Sequence, residues 1–245
     1  MANLAVDIGN TRMKWGLFEA EELVETGIAE AAELENLLDR SNNQNLENLI
    51  LCNVGKALAP ALEERLKQNF YFLYLDAHTP LPFENAYQSP ETLGKDRLAA
   101  IAGAYHIFPG RDVLVIDIGT AITFDFLSAE GRFEGGNISP GMDMRYHALY
   151  LFTARLPLVD TPYGENFWGS NTTSALQAGV VQGILFEIEG YIHWLEEKQP
   201  GFKIILTGGG ADFFGKKLKS EIFVNHNLVL TGLNKILDHN VHLKR

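Results

Sequence analysis

Two carboxylates recur about half a chain apart, each followed two residues on by a glycine and then closely by a hydroxyl residue: Asp7-Ile8-Gly9-Asn10-Thr11 and Asp117-Ile118-Gly119-Thr120-Ala121. A glycine lets the backbone turn sharply and brings its N–H groups close to an anion. Thr11, Thr120 and Thr123 add hydroxyl donors. Asp7 and Asp117 can face phosphates only across a cation or a bridging water, because like charges repel. The chemistry implied is metal-assisted phosphate binding. One Asp-x-Gly is ordinary turn vocabulary after a strand; its repetition suggests one nucleotide site between duplicated lobes. A third glycine run, Thr207-Gly208-Gly209-Gly210-Ala211, could pass an adenine ring or a phosphate close to the backbone.

A different chemistry is available in Gly94-Lys95-Asp96-Arg97, which has no counterpart in the other half. Asp96 can accept a proton from a hydroxyl, and Arg97 offers a planar fork to a carboxylate. The same residues also suit the first turn of a helix, where an Asp is favourable. From local sequence alone the helix start is the preferred reading.

These groups need elements to hold them. Leu4–Val6 and Val113–Ile116 are continuous apolar runs, as expected for strands covered on both faces, and each delivers its Asp to a strand end. Met13–Phe18 and Ile122–Leu127 follow as second strands, so both halves open with a hairpin around the loop. Further strands are expected at 23–29, 49–52, 71–75, 132–138 and 203–206, with helices at 30–39, 57–68, 98–105 and 144–152. A longer helix capped by Ser170 or Asn171 is expected to run to about Glu197. Residues 79–90, with three prolines, read as a connecting loop. Gly179 and Gly183 would let another helix approach the long one closely, within the chain or across a dimer.

Composition sets the outer limits. The 245 residues are 46% hydrophobic, enough for one large domain or two lobes. No apolar stretch reaches the roughly 18 residues of a membrane span, and the N-terminus enters a strand directly, so the expected location is cytoplasmic and no membrane partner is expected. A net charge of -11 argues against nucleic acid, whose backbone demands clustered Lys and Arg. The one dense basic stretch, Lys216–Lys219, reads as the solvated face of a short helix. Cys52 is the sole cysteine and reads as a small buried hydrophobe. The histidines show no ligand spacing; His239 and His242 fall in what reads as a frayed tail.

The duplicated strand–loop–strand plan resembles the actin, hexokinase and Hsp70-like ATPase superfamily. Within it, the ordered motif set is similar to the type III pantothenate kinase family. Asp7–Thr11 resembles its first phosphate motif, Gly94–Arg97 its pantothenate motif, Asp117–Thr123 its second phosphate motif and Thr207–Ala211 its adenosine motif; Gly135–Gly141 resembles its interface segment. The resemblance implies an α/β fold of two ribonuclease-H-like (actin-like ATPase) lobes, residues 1–110 and 111–245, each a mixed five-stranded sheet with flanking helices. It also implies ATP-dependent phosphorylation of pantothenate, the first step of coenzyme A synthesis.

By the same resemblance Asp96 is the catalytic base. Asp7, Ile8, Gly9, Asn10, Thr11, Arg12, Met13, Lys14 and Thr120 bind ATP. Tyr87, Gly94, Lys95, Asp96, Arg97 and Thr172 bind pantothenate, whose hydroxyl and carboxylate suit Asp96 and Arg97. Asp117 binds a monovalent cation, potassium or ammonium, with magnesium accompanying ATP, and the chain is a homodimer. Arg12 to Trp15 depart from the aliphatic residues expected there, so Arg12 or Lys14 could add charge at the phosphates. The rival readings are a sugar or polyol kinase of the superfamily, or a transcriptional regulator that binds nucleotide without chemistry.

Overall fold

The computed structural model describes residues 2–9, 12–41, 46–53, 58–159 and 167–244. Its strands are β1 (Ala2–Ile8), β2 (Met13–Glu19), β3 (Glu22–Ala29), β4 (Leu46–Asn53), β5 (Tyr71–Tyr74), β6 (Glu84–Asn85), β7 (Val113–Ile118), β8 (Ala121–Leu127), β9 (Arg132–Pro140), β10 (Lys203–Thr207) and β11 (Phe223–Val224). The helices are α1 (Leu34–Ser41), entered through a 3-10 turn at Ala31–Glu33, α2 (Pro60–Asn69), α3 (Lys95–Ile107), α4 (Met142–Leu151), α5 (Thr172–Lys198), α6 (Ala211–Gly215) and α7 (Leu228–Leu243).

The first sheet has the order β3-β2-β1-β4-β5, and the second β11-β10-β7-β8-β9-β6. Five strands of the second, read as β9-β8-β7-β10-β11, repeat the order of the first. β4 lies parallel to β1 as β10 does to β7. The mixed α/β duplication is therefore present. The second sheet is six-stranded rather than the expected five, because Glu84-Asn85, inside the expected connecting loop, pair with Arg132-Phe133.

The chain forms two compact units: residues 1–111, 127–135 and 227–245 in one, and 112–126 and 136–226 in the other. They interleave along the sequence, where the sequence reading divides the chain once, after residue 110.

In the first unit, alternation along β1 assigns its two faces. Leu4, Val6 and Ile8 join Met13, Leu49 and Leu51 beneath Leu34, Leu38, Leu62 and Leu66 of α1 and α2. Asn3, Ala5 and Asp7 therefore point to the opposite face, on which α7 packs. There α3 and α7 cross at almost bare backbone. A Cβ on Gly103 would stand 2.5 Å from the Leu228 carbonyl oxygen, and one on Gly232 would stand 1.7 Å from that of Ala99. These contacts explain the small-residue run of α3, Ala99 to Ala104, all of it buried.

The tail read as frayed is instead α7, which carries His239 and His242 and buries Leu228, Leu230, Leu233, Ile236 and Leu237. Asn234 of α7 accepts a hydrogen bond from Asn3 at 2.8 Å, and Asn3 accepts one from Asn48 at 2.8 Å. A buried amide chain thus ties the helix to the start of β1 and β4.

In the second unit, β7 and β10 deliver Leu114, Ile116, Ile118, Ile204 and Leu206 to a core roofed by Val181, Ile184, Ile188 and Ile192 of α5. Asn171 caps α5 as expected, its side chain accepting from the Ser174 N–H while the Ser174 hydroxyl accepts from the Asn171 N–H. Lys216 to Lys219 follow α6 rather than lining it, since the helix ends at Gly215. The expected helix start at Ala57 lies outside the described residues; α2 begins at Pro60, whose fixed φ suits a first turn.

Candidate functional site

Three segments of the first unit bring chemistry to one face of the first sheet. β1 carries Asp7 just before its last residue, Ile8, and the chain turns back at Gly9, whose N–H donates to the Arg12 carbonyl at 3.0 Å. Asn10 and Thr11 lie outside the described residues. Ile8 and Met13 are buried in the core, so only their backbone is available to a ligand; Arg12 is exposed and Lys14, paired across the hairpin with Asp7, is half-buried.

Asp7 is the unusual group. Its Oδ1 is buried and has no hydrogen-bond partner. Burial, and then the Asp96 carboxylate nearby, push its pKa from 3.8 up to about 6, against the Cys52 thiol and Lys14, which pull it down. Cys52 stands opposite Asp7 in the parallel pairing of β4 with β1. Burial, and then the Asp7 and Asp96 carboxylates, push the Cys52 thiol well above its usual range. Cys52 is fully buried, as its sequence setting implies.

The second segment is the start of α3. Gly94 precedes the helix at φ -57°, ψ 128°, and no side chain caps it. Asp96 Oδ1 accepts from the Arg97 N–H at 2.9 Å and lies 2.5 Å from where a Gly94 Cβ would be, so glycine is what leaves that carboxylate its position. Lys95 Nζ donates to the Pro90 carbonyl at 3.0 Å. The helix start expected of these four residues is thus realised.

Arg97 supplies the third part. Its guanidinium carbon lies 5.5 Å from the Tyr87 ring centroid and 6.0 Å from that of Phe133, while the two rings stack at 6.1 Å and 6°. Gly135, at φ +114°, passes beside the Tyr87 ring. The guanidinium is held by aromatic faces, an arrangement suited to a planar anion.

In the second unit Asp117 stands at the end of β7 opposite Thr207 of β10. Gly208 follows at φ +85°, and a Cβ there would come within 2.3 Å of Asp117 Oδ1. Gly210 donates to the Ile118 carbonyl at 2.9 Å, and Gly141 donates to the Thr120 carbonyl at 3.0 Å. The third glycine run therefore wraps the second Asp-x-Gly loop, and this close approach gives it a purpose beyond a turn. Thr120 is exposed, as is Thr172 in the first turn of α5.

The first unit thus joins Asp7, Lys14, Lys95, Asp96, Arg97 and Tyr87; the second holds Asp117, Thr120 and Thr172. Sequence reasoning left out two residues. Cys52 was visible as the residue β4 would place beside Asp7, had the strand register been drawn. Phe133 carries no such signal, because its contact with Arg97 depends on tertiary packing.

Among the described residues no three His, Cys, Asp or Glu side chains gather into a metal cage. A magnesium ion carried by phosphates needs only one or two carboxylates, and the buried, unpartnered Oδ1 of Asp7 beside Asp96 fits that demand.

Comparison with known proteins supplies the family. A model of type III pantothenate kinase matches residues 3–194. A type III pantothenate kinase of Bacteroides fragilis is 44% identical over 238 residues, covering 97% of this chain and 98% of the relative. Among solved structures, a Baf family protein from Campylobacter jejuni superposes with a TM-score of 0.60 at 25% identity, over 98% of this chain and 99% of its own. A ROK hexokinase from Thermus thermophilus, at 14% identity and a TM-score of 0.52, covers 98% of this chain and all of its own, and shares the fold.

Proposed function

We propose how these residues work in a chain that belongs to the type III pantothenate kinase family and so phosphorylates pantothenate with ATP, in coenzyme A synthesis. The observation that carries the reading is the juxtaposition of Asp7, with its unpartnered buried oxygen, and Asp96 at the helix start next to the aromatic-held Arg97. Arg97, with Tyr87, Gly94, Lys95 and Thr172, binds pantothenate, the guanidinium taking the carboxylate. Asp96 orients the primary hydroxyl and accepts its proton as the oxygen attacks the γ-phosphorus and the β–γ bridging bond breaks. Positioning and charge neutralisation supply most of the rate, as for other phosphoryl transfers.

The backbone from Asp7 to Lys14 and the Thr120 hydroxyl hold the ATP phosphates, with Arg12 or Lys14 adding charge. Asp7 would offer its unpartnered oxygen to the magnesium that accompanies ATP, and Asp117 would provide a carboxylate oxygen for potassium or ammonium. These cations neutralise phosphate charge when bound.

The chain works as a homodimer through α5. Gly179, Gly183, Phe186 and Gly190 recur at helix spacing along one stripe, and side chains at Gly179 and Gly190 would meet open space. Trp168, 82% exposed, stacks edge-on with Phe167, which touches Phe186, so the stripe continues into a large exposed apolar surface. No described helix is long and apolar enough to cross a membrane.

A non-catalytic regulator is not favoured, since Asp96, Arg97 and both Asp-x-Gly loops are intact. A coupled ADP-release assay tests the reading. ADP should form with pantothenate and not with glycerol or hexoses, and should fall when sodium replaces potassium. Equal turnover on sugars would overturn the substrate assignment.

A further inference from the structure

The mechanism above uses Asp7 through one oxygen and leaves the other unexplained. β1 and β4 are parallel neighbours with Asp7 opposite Cys52, so both side chains leave the same sheet face at the strand ends. Cys52 is fully buried, and the register sets its thiol beside the Asp7 carboxylate. Oδ1 of that carboxylate is buried and unpartnered. A buried carboxylate oxygen without a donor is costly, so its lack of a partner marks it as the oxygen reserved for a ligand.

We propose that Cys52 is a positioning residue for the phosphoryl transfer: its thiol pins one oxygen of Asp7 and so keeps Oδ1 turned toward the magnesium–phosphate side of ATP. The assignment rests on Asp7 facing that ligand. A rigid anchor is needed because a carboxylate at a strand end can otherwise rotate about its χ2 bond, which is a broad torsion with little preference. The thiol is the donor that the strand register places beside Asp7.

A purely apolar role for Cys52 makes the opposite ranking of variants, which gives the test. Cys52→Val and Cys52→Ala keep the site apolar and remove the donor; Cys52→Ser keeps a donor and makes the site more polar. Steady-state kinetics should be run against Mg·ATP and pantothenate, with a melting curve for each variant. If Cys52 positions Asp7, Cys52→Val and Cys52→Ala lose about tenfold or more in kcat/KM for Mg·ATP, the scale of a hydrogen bond to a charged group. Their KM for pantothenate stays within about twofold, and Cys52→Ser retains most of the activity even if it melts earlier.

Activity of Cys52→Val equal to wild type, or loss in Cys52→Ser greater than in Cys52→Val, overturns the proposal. Asp7→Asn separates the two levels of the reasoning. If Asp7→Asn loses Mg·ATP turnover while Cys52→Val does not, only the role of Cys52 fails. If Asp7→Asn turns over Mg·ATP like wild type, the assignment of Asp7 fails and the role of Cys52 with it.

Discussion

Replacing Asp7 by asparagine should make the apo-protein more stable and the enzyme inactive. The Asp7 carboxyl titrates near 6 in the folded chain rather than near 3.8, mainly because it is buried and secondarily because Asp96 is close. A carboxyl that holds its proton more tightly when folded favours folding at low pH. That benefit is complete below about 3.8 and is lost as pH rises through about 6. At pH 8 folding therefore buries an ionised group, and a displacement of roughly two pH units costs about 3 kcal/mol at about 1.4 kcal/mol per unit.

Asparagine keeps the shape and an acceptor for the Cys52 thiol while removing the charge. In EDTA without nucleotide, Asp7→Asn should melt roughly 6–12 °C above wild type at pH 8, given a shift of about 2–4 °C per kcal/mol for a chain of this size. The gap should narrow below pH 6 and close near pH 4. Adding Mg·ATP should raise the melting temperature of wild type and not of the variant. A variant that melts below wild type at pH 8, or a gap that is the same at pH 5 and pH 8, would refute the reasoning.

Three further outcomes follow from single contacts. Gly208→Ala puts a Cβ at a left-handed φ and within 2.3 Å of Asp117 Oδ1; it should lower stability by about 1–2 kcal/mol and raise the potassium concentration needed for half-maximal activity. Unchanged potassium dependence would remove Asp117 from the cation site. Arg97→Lys keeps the charge and loses the planar fork held by Tyr87 and Phe133, so kinetics should show KM for pantothenate rising about tenfold or more while KM for ATP stays put. Phe186→Glu places a charge in the exposed stripe of α5; sedimentation should move from dimer to monomer at micromolar protein, with no comparable loss of melting temperature.

What the sequence made legible was what local pattern controls. The apolar run before Asp7, the same run before Asp117, and Asn171 with Ser174 three residues on each dictate an element through nearest neighbours, and each is present. The helix α7 was hidden because its polar residues argue against burial. Asn234 and Asn240 lie inside the fold only because Asn3 and the Pro80 carbonyl, far away in sequence, satisfy them. The short strand at Glu84-Asn85 exists through its pairing with β9 and has no pattern of its own. At the site, residue type and motif order pointed to Asp7, Asp96 and Arg97. The Cys52 contact and the Phe133 ring depend on strand register and packing, which no local window contains.

The central claim is that Asp96, set at the start of α3 beside Asp7, serves as the base in phosphorylating pantothenate. Mass spectrometry of the 4'-phosphopantothenate formed by wild type and by Asp96→Asn, alongside ATP binding and melting curves for both, tests it most directly. The account predicts that wild type converts pantothenate with ADP formed one for one, and that Asp96→Asn folds and binds ATP but forms product at least about a hundredfold more slowly, the scale of general-base catalysis. Product formed by Asp96→Asn at the wild-type rate would contradict it.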